Sequence, residues 1–199
     1  MNFLEVTQEI DGVTIVHPWA LKTLWRVCDW VKDLPGSVAE CGVYRGGTLR
    51  LLARALPEKR IWGFDTFSGM PAAAVRDFDT HQVGDFGDTS YAQVDGYLKD
   101  LSNIALVGGV FPETFKVIPP DEKFCLVHLD CDQYDSYLAA LDFFLPRLLE
   151  DAVLVIDDYT HCEGARRAID ERFPVVAKPP YILTKGDDDH FITLVKRAQ

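Results

Sequence analysis

The sequence predicts an α/β fold, a mostly parallel sheet of about seven strands with a C-terminal antiparallel hairpin. Three observations carry this prediction. Five short apolar runs alternate with helix-patterned stretches up to residue 173. Three of those runs stop at acids: Gly63-Phe64-Asp65, Leu129-Asp130-Cys131-Asp132 and Val155-Ile156-Asp157-Asp158. Open parallel sheets place ligand-binding groups at the carboxyl ends of their strands. Finally, Tyr181–Thr184 and Phe191–Val195 flank a Lys-Gly-Asp-Asp-Asp-His turn, which reads as a hairpin.

The elements follow in order. Residues 18–32 form an amphipathic helix in which Leu21, Leu24, Trp25, Cys28 and Val31 recur at helical spacing, with Pro18 near the start and Pro35-Gly36 beyond the end. Val38–Val43 is the first strand, interrupted by Glu40, and a glycine turn leads to a helix over Thr48–Leu56. Arg60–Phe64 is the second strand. Residues 68–90 are rich in Asp, Gly, Thr and Ala, have no period and read as a long mobile loop. Tyr91–Leu101 is a helix, Ile104–Val107 the third strand, Phe124–Leu129 the fourth and Ala152–Ile156 the fifth. Ser136–Leu145 and Gly164–Phe173 are helices. One domain is expected over 1–199, with a helical N-terminal segment over 1–36 and a lid insertion over 68–100.

Composition narrows the function. The net charge of -11 leaves no basic face for a nucleic-acid backbone. No apolar run approaches the roughly 20 residues of a membrane span, and Met1–Glu5 lacks the basic-then-apolar pattern of a signal peptide. Five cysteines without a Cys-x-x-Cys pair, two of them within apolar strands, suit a reducing cytoplasm.

The turn from Glu40 to Thr48 has glycines at 42, 46 and 47, not the spacing of a dinucleotide fingerprint. Glycines there let a ligand approach the backbone, and Thr48 with free amides at the helix start suits a carboxylate or phosphate. A turn that only lets strand and helix pack is the plainer alternative. Glu40 would meet a cationic group such as an ammonium. Asp65, at the end of the second strand, occupies the place where an acid accepts hydrogen bonds from ribose hydroxyls. Capping the following turn is its alternative. Together the turn and the acid point to a nucleoside cofactor.

Asp130 and Asp157 each follow an apolar strand, and Asp158 adds a third carboxylate. On neighbouring strands about 4.8 Å apart, their side chains would share one hard cation such as Mg²⁺. Together with Asp132 they make four carboxylates, which without a cation would repel one another and raise their pKa values. Asp132 is the candidate general base. His161 follows the last acid cluster and is a weaker candidate base or substrate contact. His128 reads as a packed core histidine, Asp187–His190 as a solvated turn, and Trp19, Trp25 and Trp30 as core or interface residues, so that an oligomer and a monomer both fit. There is no Gly-x-Ser-x-Gly elbow and no Walker A loop.

Five segments carry a family resemblance: Val38-Ala-Glu-Cys-Gly-Val-Tyr-Arg-Gly-Gly-Thr48, Gly63-Phe-Asp-Thr-Phe-Ser-Gly-Met-Pro71, Gly84-Asp-Phe-Gly-Asp-Thr-Ser90, Leu129-Asp-Cys-Asp-Gln-Tyr-Asp-Ser136 and Ile156-Asp-Asp-Tyr159. In this order they resemble the macrocin O-methyltransferase family, whose members methylate sugar hydroxyls of macrolides and other glycosylated natural products. The resemblance implies a class I methyltransferase (Rossmann-like) fold, S-adenosylmethionine as donor, Mg²⁺ and a small-molecule acceptor. It implies that Glu40, Gly42, Gly46, Gly47 and Thr48 hold the methionine end, Asp65 the ribose, and Gly109 and Val110 the adenine. Tyr44, Thr66, Ser68 and Asp130 are counted with the cofactor contacts, as is Asp85 or Asp88 from the covering segment Gly84–Ser90. It also implies Asp130, Asp157 and Asp158 as metal ligands and Asp132 as base. Gln133 departs from the usual leucine of the motif, and the chain is short for the family, mostly at the N-terminus, which shapes the acceptor pocket. A catechol or nitrogen acceptor, a nicotinamide dehydrogenase and a non-catalytic methyltransferase-like module are the rival readings.

Overall fold

The computed structural model describes residues 1–173, 181–185 and 192–196. Two N-terminal helices precede the sheet. α1 (Phe3–Glu9) is set by a capping box: the Asn2 side chain accepts from the Glu5 amide and the Glu5 carboxylate accepts from the Asn2 amide. α2 (Pro18–Val31) begins with a proline in its first turn and buries Ala20, Leu21, Leu24, Cys28 and Val31 along one stripe.

The chain then alternates: β1 (Ser37–Cys41), α3 (Gly47–Ala55), β2 (Ile61–Asp65), α4 (Tyr91–Leu98), β3 (Ile104–Gly108), β4 (Phe124–Leu129), α5 (Tyr134–Phe144), β5 (Leu148–Ile156) and α6 (Glu163–Arg172). β6 (Tyr181–Lys185) and β7 (Ile192–Lys196) follow. The seven strands form one sheet in the order β3-β2-β1-β4-β5-β7-β6, in which β7 alone runs opposite to the other strands. The terminal hairpin is therefore present. Asp187–His190, between its strands, lie outside the described residues.

Strand order reverses between β1 and β4, so the crevice at their carboxyl ends is the topological switch point where such folds bind ligands. Alternating residues bury the two sheet faces separately. Val38, Ile61, Leu126, Val153 and Val155 pack beneath α1, α2 and α3, whereas Ala39, Phe64, Val127, Leu129, Leu154 and Ile156 pack against α5 and α6.

β5 starts four residues earlier than its apolar run indicates. Phe124 pairs with Leu148 but Leu126 pairs with Val153, so extra residues bulge out of β5, and Asp151 there takes φ 59°. Residues 66–90 contain no helix or strand, yet hydrogen bonds fasten them: Met70 and Gly84 bond to the backbone of Asp85 and Met70, and buried Asp79 accepts from the amides of Arg76 and Tyr134. All five cysteines are buried and free. Among the described residues, no helix is long and apolar enough to cross a membrane.

Candidate functional site

The sheet's hydrogen bonding continues past the strand ends and sets the acids. The Asp130 amide donates to Cys41 O and the Asp157 amide to Leu129 O, both at 2.9 Å. The two turns approach so closely that Gly42, at φ +91°, has no room for a side chain: a Cβ there would lie 1.7 Å from the Asp130 carbonyl oxygen. The buried Tyr137 hydroxyl of α5 lies 2.9 Å from Leu129 O and 2.8 Å from Asp157 O, pinning both turns from below. Asp132 and Asp158 hold left-handed backbone, at φ 59° and 64°. Strained conformations of this kind persist where surrounding structure over-determines them.

The acids converge on Asp130. Ligand atoms of Asp130, Asp132 and Asp158 lie within 4.8 Å of one another, as do those of His128, Asp130 and Asp157. Burial is the main cause that holds the Asp130 and Asp158 carboxyls well above the usual range, and their neighbouring carboxylates add to it. Burial likewise pushes Asp132 up to about 6, against the opposing pull of His81. Asp158 Oδ2 is buried without a hydrogen-bond partner among the described residues. The carboxylate oxygens of Asp130, Asp132, Asp157 and Asp158, whose charges repel one another, fit a hard divalent cation.

The acids open onto a cavity of about 550 Å³. Of the residues picked out from sequence, Gly42, Tyr44, Gly47, Thr48, Asp65, Thr66, Asp85, Val110, Asp130, Asp132, Asp157, Asp158 and His161 line it. Glu40, Gly46, Ser68, Asp88 and Gly109 do not. Glu40 is wholly buried beneath the turn, where its Oε1 lies 2.9 Å from His128 Nδ1 on the adjacent strand. Burial raises the Glu40 pKa, and His128 opposes that rise. His128, expected in the core, is there, but as one half of this polar pair.

Asp65 ties two turns together. Its Oδ2 accepts the Val43 and Tyr44 amides at 2.8 Å, and its Oδ1 accepts the Phe67 amide at 2.7 Å. Of the two acids left open in the covering segment, Asp85 faces the cavity, while Asp88 accepts the Tyr44 hydroxyl at 2.8 Å and pairs with Arg45. Gly46, the N-cap of α3, supplies no side chain to the helix amides. Thr48 Oγ1 lies beside them, 3.3 Å from Thr14 Oγ1. These donors suit a carboxylate.

Two groups of lining residues escaped the sequence reading. Val13–His17 and Trp19 wall the cavity from the N-terminal side, so Trp19 belongs to the site. Thr80 and His81 reach in from the 66–90 segment, with His81 Nε2 3.5 Å from Asp132 Oδ1. Their only sequence signal is a histidine inside a segment already read as a cover.

The chain's likeness to known proteins agrees with this geometry. It is 31% identical to the 8-demethyl-8-(2,3-dimethoxy-alpha-L-rhamnosyl)-tetracenomycin-C 4'-O-methyltransferase of Streptomyces olivaceus, over 63% of this chain and 54% of the relative. It is 29% identical to the mycinamicin III 3''-O-methyltransferase of Micromonospora griseorubida, over 69% and 60% respectively. The chain thus spans less than two thirds of the length of each. Among solved structures, the fold resembles the O-methyltransferase NovP, with a TM-score of 0.77 at 22% identity over 94% of this chain and 83% of that one. The calicheamicin methyltransferase CalS11 gives 0.76 at 21% identity over 98% and 93%. The sheet order is accordingly that of a class I methyltransferase fold. The family described as Macrocin-O-methyltransferase (TylF) matches residues 14–176, and the chain belongs to that family.

Proposed function

We propose that this chain is an S-adenosylmethionine-dependent O-methyltransferase that methylates a hydroxyl of a sugar or glycoside, with a divalent cation held by Asp130, Asp157 and Asp158. One observation carries the reading: the glycine turn and the converging carboxylates share a single cavity at the switch point of the sheet. The relatives' names, a rhamnosyl-tetracenomycin 4'-O-methyltransferase and a mycinamicin III 3''-O-methyltransferase, support a sugar hydroxyl as acceptor.

The roles follow from placement. Gly42 lets the two turns close, the uncapped start of α3 with Thr48 takes the methionine carboxylate, and Asp65 holds the turn around the cofactor's ribose. When bound, S-adenosylmethionine supplies an electrophilic methyl group and Mg²⁺ a Lewis acid that acidifies the acceptor hydroxyl. Asp132 takes the acceptor's proton at its carboxylate, which lies on the cavity wall beside the proposed metal ligands. Trp19, Met70 and Phe86 line the walls and exclude water from the reacting atoms. Residues 66–90 cover the site.

The test is methyl transfer from labelled S-adenosylmethionine to a panel of glycosides and catechols, with and without chelator. Transfer to a glycoside that stops in chelator, and that Asp157→Ala abolishes while cofactor binding stays within a few-fold, is the expected result. Undiminished transfer in excess chelator contradicts the metal role, and transfer to catechols alone contradicts the acceptor class.

A further inference from the structure

The carboxylate of Asp132 faces two ligand types that the oxygen cluster lacks. His81 Nε2 lies 3.5 Å from Asp132 Oδ1, and Cys162 Sγ lies 3.6 Å from that same oxygen. One ligand atom from each residue falls within 4.8 Å of the other two. Tetrahedral zinc binds sulfur at about 2.3 Å and nitrogen or oxygen at about 2.0–2.1 Å, which sets neighbouring ligand atoms about 3.3–3.6 Å apart. The two separations from Asp132 Oδ1 are therefore of the length that ligands sharing one tetrahedral ion have.

We propose that His81, Asp132 and Cys162 form a second metal site, selective for a thiophilic divalent ion of the zinc class and joined to the oxygen cluster through Asp132. Imidazole and thiolate donors favour such an ion over Mg²⁺. The surroundings support the set. His81 Nδ1 lies 3.7 Å from Asp85 Oδ2, near enough for a small shift of the ring to bring it into hydrogen-bond reach of that carboxylate. Thr80 Oγ1 lies 3.4 Å from both His161 O and Glu163 N, which fastens the segment carrying His81 to the start of α6, where Cys162 is the N-cap. All three donors line the cavity, which leaves a fourth position for water. Binding would release the Cys162 proton to solvent and form the metal–sulfur bond.

One consequence rests on the proposed function. An ion held here occupies the carboxylate assigned as base and ties the covering segment shut, so zinc is an inhibitor of transfer even when Mg²⁺ is saturating.

The experiment is a titration of the full chain with Co²⁺ in excess Mg²⁺, read by the near-ultraviolet thiolate-to-cobalt charge-transfer band, which oxygen ligands do not produce. The wild type should develop the band at one equivalent and lose it on adding Zn²⁺. Cys162→Ser should abolish the band, and His81→Ala should weaken Co²⁺ binding at least tenfold. No band in the wild type, or an undiminished band in Cys162→Ser, overturns the site. Should Cys162→Ser fail to fold, His81→Ala decides: an unchanged midpoint overturns the proposal. The band reads the metal site whether or not the chain methylates anything, so it separates this proposal from the enzymatic one. In the transfer assay, His81→Ala should need at least tenfold more Zn²⁺ for half-inhibition than the wild type, and an equal requirement overturns the inhibitory role.

Discussion

Replacing Gly42 by alanine tests how the fold places Asp130. A Cβ at residue 42 would lie 1.7 Å from the Asp130 carbonyl oxygen, where contacts below 3.0 Å are essentially never seen. The β4 turn must therefore retreat by about 1.3 Å, and the obstacle is backbone rather than a flexible side chain. Gly84 isolates the other contribution. It has φ +87° against +91° for Gly42, but nothing lies within 4 Å of its added Cβ. Gly84→Ala should cost only the left-handed strain, about 1–2 kcal/mol. Gly42→Ala adds overpacking of about 1–3 kcal/mol, for a total near 2–5 kcal/mol. A misplacement near 1 Å can also cost about 10²-fold in rate. The assay is urea denaturation of both variants, together with methyl transfer at saturating cofactor and Mg²⁺. Equal destabilisation by the two variants, or full activity in Gly42→Ala, would refute the claim that the β1 turn positions Asp130.

Two further predictions follow from the acid cluster. In the metal-free chain, Asp132 is lifted from 3.8 to about 6, so the folded state keeps a proton that the unfolded state has lost. Its contribution is thus fully present below pH 3.8 and lost as pH rises through about 6, a change of at most about 3 kcal/mol. The stability difference between Asp132→Asn and wild type should therefore grow in favour of the variant across that window, as followed by denaturant midpoints in chelator; a difference that is flat or reversed contradicts it. Tyr137→Phe removes the hydroxyl that lies between the Leu129 and Asp157 carbonyls. It should cost about 1–3 kcal/mol of stability and lower kcat more than it changes cofactor affinity; an unaltered kcat would mean that Tyr137 does not position the turns.

The strand-end acids were legible because two patterns coincided at them. An apolar run gave the strand, and the first carboxylate after it marked the end where ligands bind. The seven strands and the site's location followed from that grammar. Packing decided what was not legible. Glu40 lies on the ligand side of the turn by sequence, but strand register pairs it with His128 and buries both on the face beneath α2 and α3. The start of β5 was hidden because Glu150 and Asp151 interrupt the apolar pattern where the strand bulges. α1 carried a readable capping box, Asn2 with Glu5, but its seven residues are too few for a clear period. His81 and Trp19 reach the cavity through tertiary contact alone, and an aperiodic segment does not reveal which of its side chains turn inward.

In the proposed reaction a divalent ion held by the β4 and β5 acids sits beside the transferable methyl group. Mn²⁺, a paramagnetic substitute for Mg²⁺, tests it most directly, through the NMR relaxation of S-adenosylmethionine labelled with ¹³C at the methyl carbon. In the complex with the full chain, Mn²⁺ should broaden that resonance strongly at one equivalent, and Asp130→Ala should abolish the effect while the labelled cofactor still binds. A methyl signal that stays sharp with Mn²⁺ bound, or one broadened equally in Asp130→Ala, would contradict the account.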